Sequence, residues 1–513
     1  MVLSDPSQQL HVLLALAAVL LFFGISASKV SARLNMPTLL VFLGVGMLAG
    51  TEGLGRIAFS DAAAANQIGS LAMCFILFSG GFDTEWKSIR PVLPRGLLLA
   101  SVGVLLTAVF LAVCCYWLLQ WIAPEQRFSF SWCLLLASII SSTDAAAVFA
   151  ILRSKNVGLK GNLRPLLELE SGSNDPMAAL MTVFMLGIIS REYAEGRPVE
   201  WSAYLELIPQ FFQQMCIGGL WGALIGVFAV QMFRRLNLDH NGLYYVLGMA
   251  SAVFAFSGGY MLKGNGFMAV YVCGIVMGNS RFIFRNGVGR FHDGIGWLMQ
   301  MMLFLILGLL VKPSQLWTIK WEGLLVALLL MAVARPLAVF CTLIRSPYSM
   351  RERCFISWVG LRGGAPIMLA TYPLMNTWLL GSQATLVFNI VFFAVLTSVL
   401  LQGTTLMPLA RLLKLDAPLQ DRPLAPLLFE ETGKGDNASV EIELAPDAAV
   451  VNQTLSSLNM PKNALVLLIR RGGRFVMPRG DTELLAGDSL MLLGTPEAVR
   501  EAEGMLRKKA FRP

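Results

Sequence analysis

The sequence predicts an α-helical, polytopic membrane protein followed by a small α+β domain, and three observations support this prediction. Of its 513 residues, 56% are hydrophobic and only 14% are charged, whereas globular proteins are about 25% charged. Apolar segments long enough to cross a bilayer, about 20 residues each, recur from residue 10 to residue 405. After residue 414 the composition becomes polar, which indicates a separate soluble domain.

Thirteen membrane-spanning helices are predicted. The eighth and ninth are separated only by Leu262 and Lys263, and they are kept apart because a merged span would exceed forty residues. The predicted spans are 9–27, 34–51, 64–82, 96–121, 130–152, 165–190, 205–233, 241–261, 264–280, 294–311, 321–344, 355–375 and 382–405.

The distribution of basic residues predicts the orientation. With the N-terminus outside, the cytoplasmic connections hold nineteen Lys and Arg residues and the external ones hold seven. Lys and Arg concentrate on the cytoplasmic side of membrane proteins, so the C-terminal domain is predicted to be cytoplasmic. The net charge of +8 reflects this bias, and there is no concentrated basic face of the kind that binds nucleic acid.

Short sequence echoes predict two inverted six-helix repeats. Ile68-Gly69 in the third span recurs as Ile295-Gly296 in the tenth. The same offset of seven spans would make spans one to six and eight to thirteen the two repeats, with the seventh as connector. An odd offset inverts one repeat relative to the other, as in many transporters.

The chain is predicted to comprise a transmembrane domain at 1–414, a linker at 415–437 and a cytoplasmic domain at 438–513. Alternating apolar residues predict strands in the last domain. The predicted strands are 440–444, 464–470, 475–477 and 489–493, with a hairpin turn at 471–474, a short helix at 452–458 and a closing helix at 496–507.

Five charged residues lie near the middle of predicted spans, where a charge costs at least about 2.5–3.5 kcal/mol and indicates function. They are Asp144 in the fifth span, Glu170 and Asp175 in the sixth, Arg335 in the eleventh and Arg362 in the twelfth. Arg335 precedes a proline, and the sequence leaves open whether it pairs with an acid or is only a packing cation.

Two of these spans are interrupted helices. The fifth contains Ser141-Ser142-Thr143-Asp144 and the twelfth contains Gly360-Leu361-Arg362-Gly363-Gly364-Ala365-Pro366. Interrupted helices in corresponding positions of two repeats mark a binding site at the bilayer midplane. Asp144 is expected to compensate positive half-helix ends, with or without contacting the ion, and carbonyls near Thr143 are expected to coordinate a cation.

The sixth span supplies two faces. Ser171 and Asp175 are four residues apart and share one helix face, which can offer oxygen ligands to a hard cation. Glu170 and Asn174 share the adjacent face, where Glu170 is predicted to form a structural ion pair with Arg362. Asp175 can hold a proton or a cation, because each neutralises the same charge. With Asn174 uncharged, the exchange is predicted to be electroneutral; the alternative is that Asp175 is simply a buried acid.

Other functions are disfavoured. The chain lacks a Thr-Val-Gly-Tyr-Gly filter of cation channels and the His-Glu-x-x-His and Gly-x-Ser-x-Gly motifs of enzymes. Eight cysteines and three histidines show no zinc spacing, so no metal cofactor is predicted. Oxygen ligands suit potassium and sodium alike.

These motifs resemble those of the bacterial NhaP-type cation/proton antiporters. The resemblance rests on Ser142-Thr143-Asp144, Glu170-Ser171-Gly172-Ser173-Asn174-Asp175-Pro176 and Trp358-Val359-Gly360-Leu361-Arg362-Gly363, and Ala145 stands where many members have proline. It implies a homodimer in the bacterial inner membrane, alternating access by an elevator-like movement, and Asp175 as the ion and proton carrier. It also implies that Asn174 and Arg362 steady Glu170, while Thr143 and Ser171 line the ion site.

The tail resembles the TrkA-C domain, also called the RCK C-terminal domain. The resemblance rests on Pro461-x-Asn463-Ala464, Arg470-x-Gly472, Gly480-Asp481-Thr482 and Ala486-Gly487-Asp488. It implies regulation by a small ligand such as a nucleotide. Transporters with this tail tend to exchange potassium for protons, so the resemblance favours potassium over sodium.

Overall fold

The computed structural model describes residues 38–122, 129–155, 157–236, 238–418, 438–445, 447–472 and 474–507, with a few positions between 15 and 29. Most of the first predicted span, 9–27, lies outside the described residues, as does 419–437 of the predicted linker. The chain forms two compact units, a larger helical one and a smaller one that contains the C-terminal sheet.

Helices account for most of the described chain before the C-terminal sheet. In chain order they are α1 Thr38–Ala49, α2 Ala62–Asp83, α3 Trp86–Leu118, α4 Phe130–Ile139, α5 Ala145–Ser154, α6 Leu163–Glu195, α7 Trp201–Arg235, α8 Asn241–Met261, α9 Gly266–Gly278, α10 Arg285–Leu310, α11 Pro313–Thr318, α12 Lys320–Thr342, α13 Met350–Trp358, α14 Gly364–Leu369, α15 Thr371–Met375, α16 Thr377–Leu380 and α17 Ser382–Leu412.

Eight helices of the described residues are long and apolar enough to cross a membrane: α2, α3, α6, α7, α8, α10, α12 and α17. Three shorter apolar helices, α1, α4 and α9, accompany them. The predicted separation of the eighth and ninth spans is confirmed, because Lys263 has a φ of 58° and turns the chain between α8 and α9. The predicted start of the tenth span, residue 294, was wrong: the corresponding helix α10 begins nine residues earlier, at Arg285.

Glycines bring several membrane helices into backbone contact. A Cβ on Gly46 of α1 would meet the backbone of Leu305 and Gly308 in α10, and one on Gly308 would meet α1 in return. In the same way, a Cβ on Gly274 of α9 would meet the backbone of Phe78 in α2. Small residues at helix contacts are typical of membrane proteins, where close van der Waals packing holds helices together.

Two helices contain a π turn. The turns are Leu99–Gly103 in α3 and Leu330–Ala334 in α12. In α12 the turn is followed by Arg335 and Pro336, and a proline has no N–H to continue the hydrogen-bond ladder. π turns mark places where a helix departs from its regular period, frequently at functional sites.

A two-stranded antiparallel sheet follows α5. Strand β1 Val157–Leu159 pairs with β2 Asp416–Pro418, with Gly158 opposite Ala417. The Lys160 amide donates to the Leu415 carbonyl at 3.0 Å, and the Lys160 ammonium donates to the Lys414 carbonyl at 2.9 Å. Residues that composition assigned to the linker therefore include a strand that pairs with the connection between α5 and α6.

The C-terminal sheet has four antiparallel strands in the order β3-β6-β4-β5. Their bounds are β3 Ala438–Glu443, β4 Ala464–Arg471, β5 Arg474–Val476 and β6 Ser489–Gly494, and helix α18 Pro496–Leu506 closes the domain. The buried core includes Ile442, Leu490 and Ala502. The helix predicted at 452–458 is only a 3₁₀ turn, Leu455–Ser457.

An ion pair fixes the turn before β6. Asp488, whose side chain is 1% exposed, accepts two hydrogen bonds from the Arg471 guanidinium at 2.9 and 2.8 Å and one from the Leu485 amide at 2.8 Å. Burial raises the pKa of this carboxyl, but the hydrogen bonds from Arg471 and Leu485 outweigh it, so its pKa is lowered. The Gly487-Asp488 turn is thus anchored to strand β4.

Candidate ion-binding site

The first helix break lies between α4 and α5. Residues 140–144 leave the helical conformation, and Asp144 caps α5 by accepting a hydrogen bond from the Ala147 amide at 3.1 Å. The Ser171 hydroxyl accepts a second hydrogen bond from the Ala145 amide at 2.9 Å. Side-chain oxygens are the usual acceptors for the free amides at a helix start, and here they support the break although Ala145 is not a proline.

The second break, residues 359–363, lies between α13 and α14 and contacts the first. The Asp144 amide donates to the Leu361 carbonyl at 2.7 Å, which joins the two breaks directly. A Cβ on Gly363 would collide with the Asp144 carboxylate, so this carboxylate lies beside the start of α14 as well as that of α5. Asp144 therefore compensates the positive ends of two half-helices.

Arg362 compensates ends of the opposite sign. Its guanidinium Nη1 donates to the carbonyls of Ser141 and Ser142, both at 2.5 Å, where the chain leaves α4. The Arg362 side chain is 1% exposed. Carbonyls at a helix C-terminus carry a partial negative charge, so Arg362 stabilises the end of α4 from the other break.

Glu170 pairs with Arg335. Their side chains, 1% and 2% exposed, approach to 2.5 Å. The prediction assigned Arg362 as the partner of Glu170, and the structure gives this ion pair to Arg335 instead. The physical reason is that the Arg362 guanidinium is engaged by the carbonyls of Ser141 and Ser142, whereas Arg335, directly after the π turn of α12, reaches Glu170. Of the two interpretations left open for Arg335, the structure supports the partner of an acid.

Helix α6 is tied to the first break through Thr143. The Ser171 hydroxyl donates to the Thr143 carbonyl at 2.9 Å, and the Asn174 amide donates to the Thr143 hydroxyl at 2.6 Å. These bonds use the Thr143 carbonyl and hydroxyl and the Ser171 proton within the protein. Ser171 and Asn174 are three residues apart on α6, so both reach Thr143, and their hydrogen bonds hold α6 against the first break.

Asp175 lies at the centre of this arrangement. It is partly exposed, and Ser142 and Asp144 lie near its carboxyl group. Within the described part of the chain, no Lys, Arg or His forms an ion pair with Asp175, in contrast to Glu170. A partly exposed carboxylate without a counter-ion can accept either a proton or a cation.

The structure brings Thr143, Asp144, Ser171, Asn174 and Asp175 together and places Glu170, Arg335 and Arg362 beside them. Sequence reasoning missed two residues that support the second break: the Ser398 hydroxyl accepts from the Arg362 amide at 3.3 Å, and Gln402 donates to the Trp358 carbonyl at 2.8 Å. The signal in the sequence is their spacing of four residues, which places both side chains on one face of the apolar helix α17. Among the residues described, no group of three His, Cys, Asp or Glu could hold a resident metal.

Comparison with known proteins gives two family matches. Residues 7–412 match the family described as "Sodium/hydrogen exchanger, transmembrane", and residues 440–507 match the TrkA-C domain.

Two relatives match almost the whole chain. The chain is 35% identical to the K(+)/H(+) antiporter NhaP of Alkalimonas amylolytica over 95% of this chain and 82% of that protein. It is 36% identical to the K(+)/H(+) antiporter NhaP2 of Shewanella sp. (strain MR-4) over 94% of this chain and 81% of that protein.

A solved structure has the same fold. The sodium proton antiporter MjNhaP1 of Methanocaldococcus jannaschii at pH 8 superposes with a TM-score of 0.65 at 22% identity, covering 79% of this chain and 99% of that one. At this identity the likeness concerns the fold.

Proposed function

The chain belongs to the sodium/hydrogen exchanger family and is a cation/proton antiporter, a transporter rather than an enzyme, and we propose that the cation it exchanges for protons is potassium. Two relatives that match over most of the chain are named for potassium/proton exchange. The TrkA-C match at residues 440–507 favours the same cation. Sodium is the alternative, because the same oxygen atoms can bind it.

The observation that carries the mechanism is the contrast between two acids of α6. Glu170 is buried and neutralised by Arg335, whereas Asp175 is partly exposed beside the first break. Asp144 is engaged as a helix cap. Asp175 is then the acid left to bind a proton or a cation in turn, and one positive charge moves each way, so exchange is electroneutral.

We extend the proposal to the architecture of the whole protein. Thirteen membrane helices in two inverted six-helix repeats would place α3 opposite α12, and both contain a π turn. In the numbering of the predicted spans, the fourth and fifth spans would then correspond to the eleventh and twelfth. The breaks in the fifth and twelfth spans have the same length of five residues.

We further propose that the protein is a homodimer in the bacterial inner membrane, with its N-terminus outside the cell. It would work by alternating access through an elevator-like movement. Its domains are 1–414, a linker and a cytoplasmic domain from 438.

Vesicles test the exchange. In proteoliposomes with a pH-sensitive dye, the protein should exchange protons for potassium and rubidium more readily than for sodium or lithium, without effect of a membrane potential. Asp175→Asn should abolish this exchange. Asp61→Asn is the matched control, because Asp61 caps α2 through the Ala64 amide and asparagine caps as well. Normal dye response in Asp175→Asn vesicles would contradict the mechanism.

We also propose that the C-terminal domain regulates exchange by binding a small ligand such as a nucleotide. The β1–β2 sheet supports this proposal, because β2 lies at the start of the linker and β1 follows α5 in the chain. Helix α5 is capped by Asp144 at its other end. A force transmitted through the linker would therefore act on the half-helix that Asp144 caps.

Two truncations separate the parts of this proposal. A chain ending after Pro418 keeps β2 and should retain exchange while losing any response to added ATP, ADP or NAD. A chain ending after Lys414 also loses β2 and should show slower exchange. If the chain ending after Pro418 responds to nucleotides as the full chain does, the C-terminal domain is not the regulator.

A further inference from the structure

The hydroxyl groups around Asp175 differ in how far the protein already uses them. The Ser171 hydroxyl donates to the Thr143 carbonyl and accepts from the Ala145 amide, both at 2.9 Å. The Thr143 hydroxyl accepts from Asn174 at 2.6 Å. The Ser141 hydroxyl donates to the Ser138 carbonyl at 2.7 Å. Each of these hydroxyls has a fixed partner within the protein.

Ser142 is the exception. It is buried, with 1% of its surface exposed, and the carboxyl group of Asp175 is the neighbour to which its hydroxyl can donate. No other group in the described part of the chain bonds to this hydroxyl. When a cation occupies the Asp175 carboxylate, the hydroxyl loses that acceptor. Because a buried hydroxyl without a partner costs about 1–3 kcal/mol, it then needs another partner, such as the bound ion.

The backbone of Ser142 is held firmly. Its carbonyl accepts from Arg362 at 2.5 Å, and two residues later the Asp144 amide donates to the Leu361 carbonyl of the second break. The side chain therefore stands on a fixed support although its own hydroxyl is free to rotate. A rigid backbone combined with a hydroxyl oxygen that accepts no hydrogen bond is what a preorganised ligand requires.

We propose that the Ser142 hydroxyl is a direct ligand of the transported cation and helps to set the selectivity among monovalent cations. This inference rests on the proposed antiport function of Asp175. A hydroxyl can donate to a carboxylate and can equally offer its lone pairs to a cation. It therefore serves both states of the site: it donates to Asp175 when that group is charged and empty, and it turns its oxygen towards the cation when one is bound.

The first test compares two buried serines. Ser142→Ala should raise the apparent KM for potassium about three- to tenfold, the effect of losing one ligand interaction of hydrogen-bond strength, and should change the ratio of potassium to sodium KM. Ser251→Ala is the matched control, because it removes a buried hydroxyl of α8 that donates to the Leu247 carbonyl of the same helix. It should leave both KM values unchanged. Equal KM values in Ser142→Ala and the original protein would overturn the inference.

The second test distinguishes direct coordination from packing. Ser142→Cys keeps the size of the side chain but replaces a hard oxygen by softer sulfur. In the same vesicles it should weaken potassium exchange while exchange with thallium(I), a softer ion of similar size, is weakened less. A parallel loss for both ions would assign Ser142 a packing role only.

Failure of this inference and failure of the proposed function can be told apart. If Asp175→Asn vesicles still exchange ions, the antiport mechanism itself is wrong. If Asp175→Asn is inactive while Ser142→Ala and Ser142→Cys behave like the original protein with every ion, only the role of Ser142 is wrong.

Discussion

The two helix breaks have the same length but different chemistry. The first, residues 140–144, carries Ser141, Ser142, Thr143 and Asp144, so that four successive side chains offer oxygen. The second, residues 359–363, carries glycines and Arg362 and offers no side-chain oxygen. The first break supplies candidate ligands on the side of Asp175, while the second supplies the positive charge that stabilises the end of α4.

The opposite charges of the two breaks have separate roles. Asp144 lies at the start of two half-helices and Arg362 lies at the end of another, so each charge compensates backbone partial charges. Because Asp144 and Arg362 compensate partial charges of the backbone, Asp175 remains available to bind the ion or the proton. The variants below test this separation of roles, in order of decreasing effect on stability.

Arg335→Ala should have the largest effect on stability, because it leaves Glu170 buried without a partner. Breaking a buried pair in this way costs about 3–5 kcal/mol. The melting temperature of the purified protein in detergent should fall steeply, and Glu170→Gln in the same chain should recover part of it. Arg197→Ala, which removes an exposed pair with Glu195, should change little. A melting temperature equal to that of the control would show that Glu170 has another stabilising partner.

Arg362→Ala should lower stability by about 1.5–3 kcal/mol, the value of hydrogen bonds to a charged group. The carbonyls of Ser141 and Ser142 would lose their donor. The relative rates of exchange with potassium and sodium should remain unchanged, because the second break supplies no side-chain ligand. Thermal unfolding and vesicle exchange of the same preparation measure both. Unchanged melting, or altered ion preference, would contradict the assigned role.

Gly363→Ala should lower stability by about 1–3 kcal/mol through overpacking, because the added Cβ collides with the Asp144 carboxylate. Exchange should fall as well, since a displaced Asp144 would disturb the cap of α5. The matched control is Gly80→Ala in α2, where a Cβ meets nothing within 4 Å. If both variants behave alike in melting and exchange, the position of Asp144 against the second break is unimportant.

Asp144→Asn should have the smallest effect on stability, about 0.3–1 kcal/mol, because asparagine still caps α5 but loses the charge beside the helix ends. Exchange should persist with a raised KM for the cation. The measurement also decides a question that the sequence left open. An unchanged KM would mean that Asp144 compensates the helix ends without influencing the ion.

The sequence predicts most of the helices because bilayer thickness imposes their length and composition. It also predicts the shared face of Ser171 and Asp175, since a spacing of four residues fixes that relation within α6. The partner of Glu170 was not predictable in this way. It depends on contact between α6 and α12, which are distant in sequence, and on a π turn that an apolar pattern does not reveal.

Strand β2 was missed for a different reason. It has only three residues, Asp416–Pro418, and its composition is that of a linker. Its extended conformation depends on pairing with β1, more than 250 residues earlier. Likewise, nothing in the run Ser141-Ser142-Thr143 distinguishes the hydroxyl that lies beside the Asp175 carboxyl, because this depends on where each side chain points in the folded break.

The π turn of α12 acts as a rotational offset. Each residue of an α-helix advances the side chains by about 100°, and a π turn accommodates one residue more than an α-turn. Everything after Ala334 is therefore turned relative to the first half of the same helix, and Arg335 is the first residue to experience it. A membrane helix can in this way keep an apolar surface towards lipid along its first half and point a charged side chain, here that of Arg335, into the protein interior from its second half.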